Sequence, residues 1–302
     1  MSENALAVKG LTKKYPDFIL DEVSFCVPRG TIVGIIGENG AGKSTIIRAI
    51  LNLIEKDSGN IELLGREDSS IGKSDIGKSS IDKSSIDFLT RNHVGVVFDG
   101  NNFPDTLSPG KLGKLLKNVY AEWDEKQYSA LLERFSLPAG KKIRKLSKGM
   151  KMKLSIAAAL SHSPELLILD EATGGLDPIV RDDILDILLE YVQNENHSVL
   201  ISSHITSDLE KIADYIVFLH EGKVVFSRPK DELRYKYGII KCGAAQFDAI
   251  DKSEILAWRK QDYEWQVLVA DRRAAQEKYP AAVIDPATID DIMLLFVKGE
   301  VQ

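Results

Sequence analysis

The stretch Gly37-Glu38-Asn39-Gly40-Ala41-Gly42-Lys43-Ser44-Thr45 constrains this chain more than any other. It has the pattern G-x-x-x-x-G-K-[ST], framed by Gly37 and Gly42. Its setting matters as much as its letters. Upstream, Thr31 to Ile36 is a short apolar, β-branched run bounded by glycine, which predicts a buried strand. Downstream, Thr45 to Ile54 is apolar at helical spacing, which predicts a helix. A strand that turns sharply into a helix leaves backbone N–H groups unpaired and pointing one way. With the helix dipole, these hold an anion. Glycines let the backbone wrap phosphate oxygens where a Cβ would collide. Lys43 then supplies a mobile positive charge for β- and γ-phosphates, and Ser44 a hydroxyl ligand for Mg²⁺.

A second match, Gly72-Lys73-Ser74-Asp75-Ile76-Gly77-Lys78-Ser79, has no apolar strand before it and no amphipathic helix after it, so it reads as chance. At 302 residues the chain has room for one large α/β domain and a smaller one. Its formal net charge of −6 argues against a general nucleic-acid binder, and no nucleic acid is expected as a partner. Cys26 and Cys242 match no metal or redox spacing and read as buried free thiols in a reducing compartment. The start, Met1-Ser2-Glu3-Asn4, carries no signal segment, and no apolar run approaches the ~20 residues that span a bilayer. A membrane role therefore needs another chain to do the spanning.

Leu6 to Leu11 and Phe18 to Val27 read as strands of a small antiparallel layer ahead of the phosphate loop, joined near Tyr15. Tyr15 is either packing or a face for a stacked ring. Ser58 to Gly65 reads as a further strand. From about Ser70 to Asp87, Ile71, Ile76, Ile81 and Ile86 recur every five residues, a period that fits neither helix nor strand and predicts a solvated insertion. His93 to Phe98 reads as a buried strand with Asp99 at its carboxyl end. A helical subdomain is expected over about 104–162, and strands then alternate with helices to about residue 230. Beyond about 234, strands at Gly238 to Cys242, Gln266 to Ala270 and Ala281 to Val283 and a helix at Ile289 to Phe296 predict a small α+β unit over 234–302.

The chemistry gathers at strand ends. Glu165 to Glu171 is an apolar strand ending in two carboxylates. Beside a phosphate loop, Asp170 can hold Mg²⁺, and Glu171, pointing the other way, can polarise a water for in-line attack. His204 ends the strand Ser198 to Ser203, where it can bond the γ-phosphate and hold Glu171 and the water.

The order GENGAGKST, LSKGM, LLILDEA, GGLD and a strand ending in His204 resembles the ATP-binding subunit of ABC transporters over roughly residues 5 to 230. The resemblance implies a P-loop NTPase α/β core of ABC type, with ATP and Mg²⁺ as cofactors, over 1–233. It implies a head-to-tail homodimer in which two ATPs lie between one subunit's phosphate loop and the other's signature, Leu146-Ser147-Lys148-Gly149-Met150. Ser147 and Gly149 would then meet the facing chain's γ-phosphate, Asp177 would link the subunits, and Tyr15 would stack on adenine. Lys148 and Met150 depart from the commonest signature. Asp99 stands where the family usually has glutamine. It either ligates Mg²⁺ more strongly or falls short and works through water. The expectation is a cytoplasmic ATPase, peripheral on the inner face of the cell membrane, powering a separate polytopic permease and resembling small bacterial exporters. A soluble ABC ATPase acting on the ribosome or DNA, or a nucleotide-sensing regulator, are the alternatives.

Overall fold

The computed structural model describes residues 3–67, 92–100 and 102–301. The period-five insertion and the second glycine-lysine match lie outside the described residues. The chain opens with a long hairpin, β1 (Asn4–Tyr15) and β2 (Phe18–Pro28), and then enters β3 (Ile32–Ile36), which is buried along its whole length. Helix α1 (Lys43–Ile50) follows the glycine loop, buries Ile46, Ile47 and Ile50, and ends earlier than the apolar run suggested. The expected strand after α1 is β4 (Ser58–Leu63), which with β5 (Arg66–Glu67) joins the hairpin in an antiparallel sheet of order β2-β1-β4-β5.

The central sheet adds β6 (Val94–Val97), β7 (Leu166–Asp170), β8 (Ser198–Ser203), β9 (Tyr215–His220) and β10 (Lys223–Pro229), in the order β10-β9-β3-β8-β7-β6. From β9 to β6 every pairing is parallel, and β10 turns back antiparallel at one edge. Strand β7 is apolar up to Asp170 and β8, which carries three serines, is likewise buried throughout, because helices and the hairpin layer cover both faces. Helices α2 (Pro109–Leu116), α3 (Glu125–Arg134) and α4 (Lys148–Leu160) form the expected helical region, α5 (Pro178–Tyr191) returns from β7, and α6 (Thr206–Ile212) follows β8.

Helix α7 (Lys230–Lys236) leads into β11 (Gly238–Cys242) and α8 (Ala244–Ala249). Strands β12 (Ile255–Gln261) and β13 (Glu264–Val269), helix α9 (Arg272–Lys278), β14 (Val283–Pro286), α10 (Ile289–Lys298) and β15 (Glu300–Val301) complete a five-stranded antiparallel sheet, β14-β11-β13-β12-β15. Strand β14 begins where the expected strand at Ala281 to Val283 was to end, because the Tyr279 carbonyl accepts from Ala282 N in a turn. Cys242 is buried, but Cys26 faces outward on β2, contrary to expectation. The C-terminal sheet shares a core with the central one: Leu233, Ile239, Ile292 and Leu295 belong to one apolar cluster with Ile216 and Phe218. Phe296 of α10 lies 6.1 Å from both Phe218 and Phe226, ring to ring. No helix among the described residues is long and apolar enough to cross a membrane.

Candidate functional site

Three adjacent parallel strands bring the site together. Ile36 of β3 is level with Ser203 of β8, and Asp170 of β7 with Ser202. The loop after β3, the acidic pair ending β7 and His204 after β8 therefore leave the sheet at one edge, where ligands of such sheets gather. Loop geometry demands its glycines. A Cβ on Gly37 would stand 2.4 Å from the Leu219 carbonyl oxygen, and Gly42 has φ 112 with the Phe18 ring 2.8 Å from any added Cβ. Gly42 also occupies the N-cap of α1 without offering a side-chain acceptor, so the first-turn N–H groups stay available to an anion.

Lys43 folds back into this loop. Its buried ammonium donates to the carbonyls of Gly37 (2.8 Å) and Glu38 (3.2 Å) and lies 3.1 Å from Glu171 Oε1. The other carboxylate oxygen of Glu171 is 2.5 Å from His204 Nδ1. Burial pushes the Glu171 carboxyl up, but the His204 hydrogen bond and the Lys43 charge together outweigh it and hold the group below its ordinary value. Glu171 is thus a carboxylate at neutral pH, and Nδ1 is the donor of the pair. The sequence suggested that Glu171 would face away from Asp170 because strands alternate. The turn has another cause: Glu171 is left-handed, with φ 52, so the chain kinks as it leaves β7.

Ser202, which the sequence pattern does not single out, organises both acids. Its hydroxyl donates to Asp170 Oδ1 (2.7 Å) and accepts from Glu171 N (3.1 Å). The available signal was a hydroxyl pair, Ser202-Ser203, inside an otherwise apolar buried strand, since buried hydroxyls need partners. Asp170 is itself buried and has no cationic partner among the described residues. Mg²⁺ keeps several waters and takes one or two carboxylates beside phosphate oxygens, so Asp170 with the Ser44 hydroxyl suits it. Among the described residues no three His, Cys, Asp or Glu side chains gather as a metal cage.

Tyr15 is 41% exposed and, with Glu38, Asn39, Gly40 and Ala41, lines an open cavity of about 900 Å³. Its ring presents a face beside the phosphate loop rather than filling a core. The signature residues divide. Ser147 caps α4, accepting from Met150 N at 3.2 Å, and is exposed, as is Lys148. Leu146 and Gly149 are buried in their own chain. Gly149 is small because α5 crosses it: an added Cβ would lie 3.1 Å from Val180 Cγ1. Asp177 caps α5, accepting from Val180 N at 3.0 Å.

Two of the three departures from the family pattern, Asp99 and Lys148, face each other. Lys148 donates to the Gly174 carbonyl (2.7 Å) and its ammonium is 3.8 Å from Asp99 Oδ1. Both side chains are more than half exposed, so the pair is screened. Asp99→Asn and Lys148→Gln are each expected to shift stability by less than about 1 kcal/mol, with a coupling of about 0.2–1 kcal/mol in a denaturant double-mutant cycle. A coupling of zero would make the pairing incidental.

Comparison with known proteins agrees with this geometry. The family model described as ABC transporter matches residues 20–174, which hold the phosphate loop and the acidic pair. The "Lantibiotic transport ATP-binding protein SrtF" of Streptococcus pyogenes is 34% identical over 229 residues, covering 75% of this chain and 91% of that protein. The "Phosphonates import ATP-binding protein PhnC" of Treponema denticola is 32% identical over 244 residues, covering 76% of this chain and 91% of its own length. A solved structure described as the ATP binding subunit of an ABC transporter is similar with a TM-score of 0.63 at 29% identity, covering 76% of this chain and 92% of that one.

Proposed function

Because this chain belongs to the ABC transporter family, as one of its ATP-binding, ATP-hydrolysing subunits, we propose that it closes as a dimer on two Mg-ATP and drives a separate polytopic permease, as an exporter. The observation that carries the reading is the unbroken chain Lys43–Glu171–His204 at the ends of three neighbouring strands. The loop N–H groups from Gly37 to Thr45 and the Lys43 ammonium bind the phosphates, and Tyr15 offers its ring to the adenine. Ser44 and Asp170 would hold Mg²⁺, which would supply positive charge to the phosphates.

Lys43 cannot serve a γ-phosphate and Glu171 equally well. As the ammonium turns to phosphate, Glu171 Oε1 loses its cation and becomes free to accept a proton from water. His204 keeps Oε2 fixed through Nδ1, leaving its other ring nitrogen to face the γ-phosphate. Ser147 and the start of α4 complete the partner's pocket, with Asp177 beside them. Closure can move a permease because nucleotide binds one arrangement better than the other.

The direction rests on the resemblance to small bacterial exporters alone, since the similar proteins include one named for lantibiotic transport and one named for phosphonate import. Three outcomes are expected: slow hydrolysis of Mg-ATP by the purified chain, co-purification with a polytopic membrane protein, and ATP-driven substrate uptake into inside-out vesicles. Capture of ribosomes or DNA in place of a membrane partner would overturn the permease reading. Efflux from those vesicles would reverse the direction.

A further inference from the structure

A cavity of about 460 Å³ opens where α6 and α7 meet the C-terminal sheet. That is the size of a small-molecule site. Lys230 and Arg234 of α7 and Arg272 at the start of α9 line it, with Glu210, Tyr235 and Thr288. Neither arginine forms an ion pair among the described residues. Arg272 Nε is buried and has no hydrogen-bond partner, which is rare for a charged group in a finished fold. Packing holds that guanidinium in place, since the Arg272 stem lies against Gly238, 2.8 Å from where a Cβ would stand. The one acid is engaged: Glu210 Oε1 accepts from Ile289 N at 3.3 Å. Lys230 donates to the Glu210 carbonyl at 2.9 Å, which leaves further N–H bonds for a ligand.

We propose that this cavity binds a small phosphate-bearing anion and that its occupancy regulates the ATPase site. Arginine forks suit phosphate oxygens, and the exposed Tyr235 ring stands at the mouth. The route to the chemistry is short. Helix α6 starts two residues after His204, and its first residue, Thr206, donates to Asp290 Oδ1 of α10 at 2.6 Å. Glu210 holds the start of the same helix α10. A ligand that draws Arg234, Arg272 and Lys230 together therefore bears on the element that positions His204. The binding claim stands on the cavity alone, whereas the regulatory claim rests on the ATPase reading above.

Pyrophosphate titrated calorimetrically into the full chain carrying Lys43→Ala, which weakens the phosphate loop, is expected to show its tighter binding at the C-terminal cavity. Arg234→Gln and Arg272→Gln are each expected to weaken it by about tenfold. Arg234 is exposed, so its replacement leaves the fold intact even if the Arg272 change does not. With Lys43 intact, both variants are expected to keep basal ATP turnover and to lose the change in turnover that pyrophosphate causes at saturating ATP. No binding, or equal affinity in both variants, would overturn the site. Binding with no effect on turnover would overturn its regulatory role. Absent turnover in the unsubstituted chain would count against the ATPase reading and leave the site standing.

Discussion

Replacing Glu171 by glutamine is expected to cut steady-state ATP hydrolysis by about 10²–10⁴-fold while ATP binding survives. Opposing forces ready the carboxylate to take a proton, because burial disfavours its charge while His204 and Lys43 hold it ionised. Glutamine has the same shape and can still meet His204, but its amide takes no proton from water. The bound triphosphate then persists, and the chain should elute as an ATP-dependent dimer on size exclusion. Phosphate release measures the first effect and the elution shift the second. Unchanged turnover would remove Glu171 from the role of base.

The companion change, Lys43→Ala, is expected to weaken ATP binding by about 10²-fold, in line with about 1.5–3 kcal/mol for a hydrogen bond to a charged group. A nucleotide titration reads it directly. The loss has two parts. The phosphates lose their cation, and the carbonyls of Gly37 and Glu38 lose a buried donor. Glu171 is also left with His204 alone against its burial, so its carboxyl moves back up. Undiminished affinity would mean that the loop amides alone carry the anion.

The parts of the molecule that were legible in the sequence are those in which one segment carries its own signal. The strand, glycine loop and helix around Lys43 declare themselves because turn chemistry and apolar pattern agree over a short span. The apolar strand ending in Asp170 and Glu171 does the same. Contacts between distant segments were not legible. Asp99 and Lys148 each look like an isolated oddity until β6 and α4 are folded together. Ser202 hides because a serine in a strand draws no notice until the acids on the next strand are seen beside it. The left-handed turn at Glu171 lacks the glycine or asparagine that usually announces one. In the C-terminal unit, β12 carries Arg259, Lys260 and Gln261 and is only half covered, and α9 reads Arg-Arg-Ala-Ala-Gln-Glu-Lys with one buried residue. Both depend on neighbours that no local pattern names.

The shared core beneath α10 makes the last quarter of the chain a keel rather than a passenger. Severing the polypeptide near residue 233 would leave Phe218, Phe226 and Leu233 facing water where Phe296, Ile239 and Ile292 now cover them. At about 1.5–3 kcal/mol for each large side chain laid bare, a few such exposures rival the whole margin of about 5–15 kcal/mol that keeps a protein folded. The nucleotide-handling part has come to lean on its neighbour for ballast, and trimming the chain to the familiar cassette would capsize it.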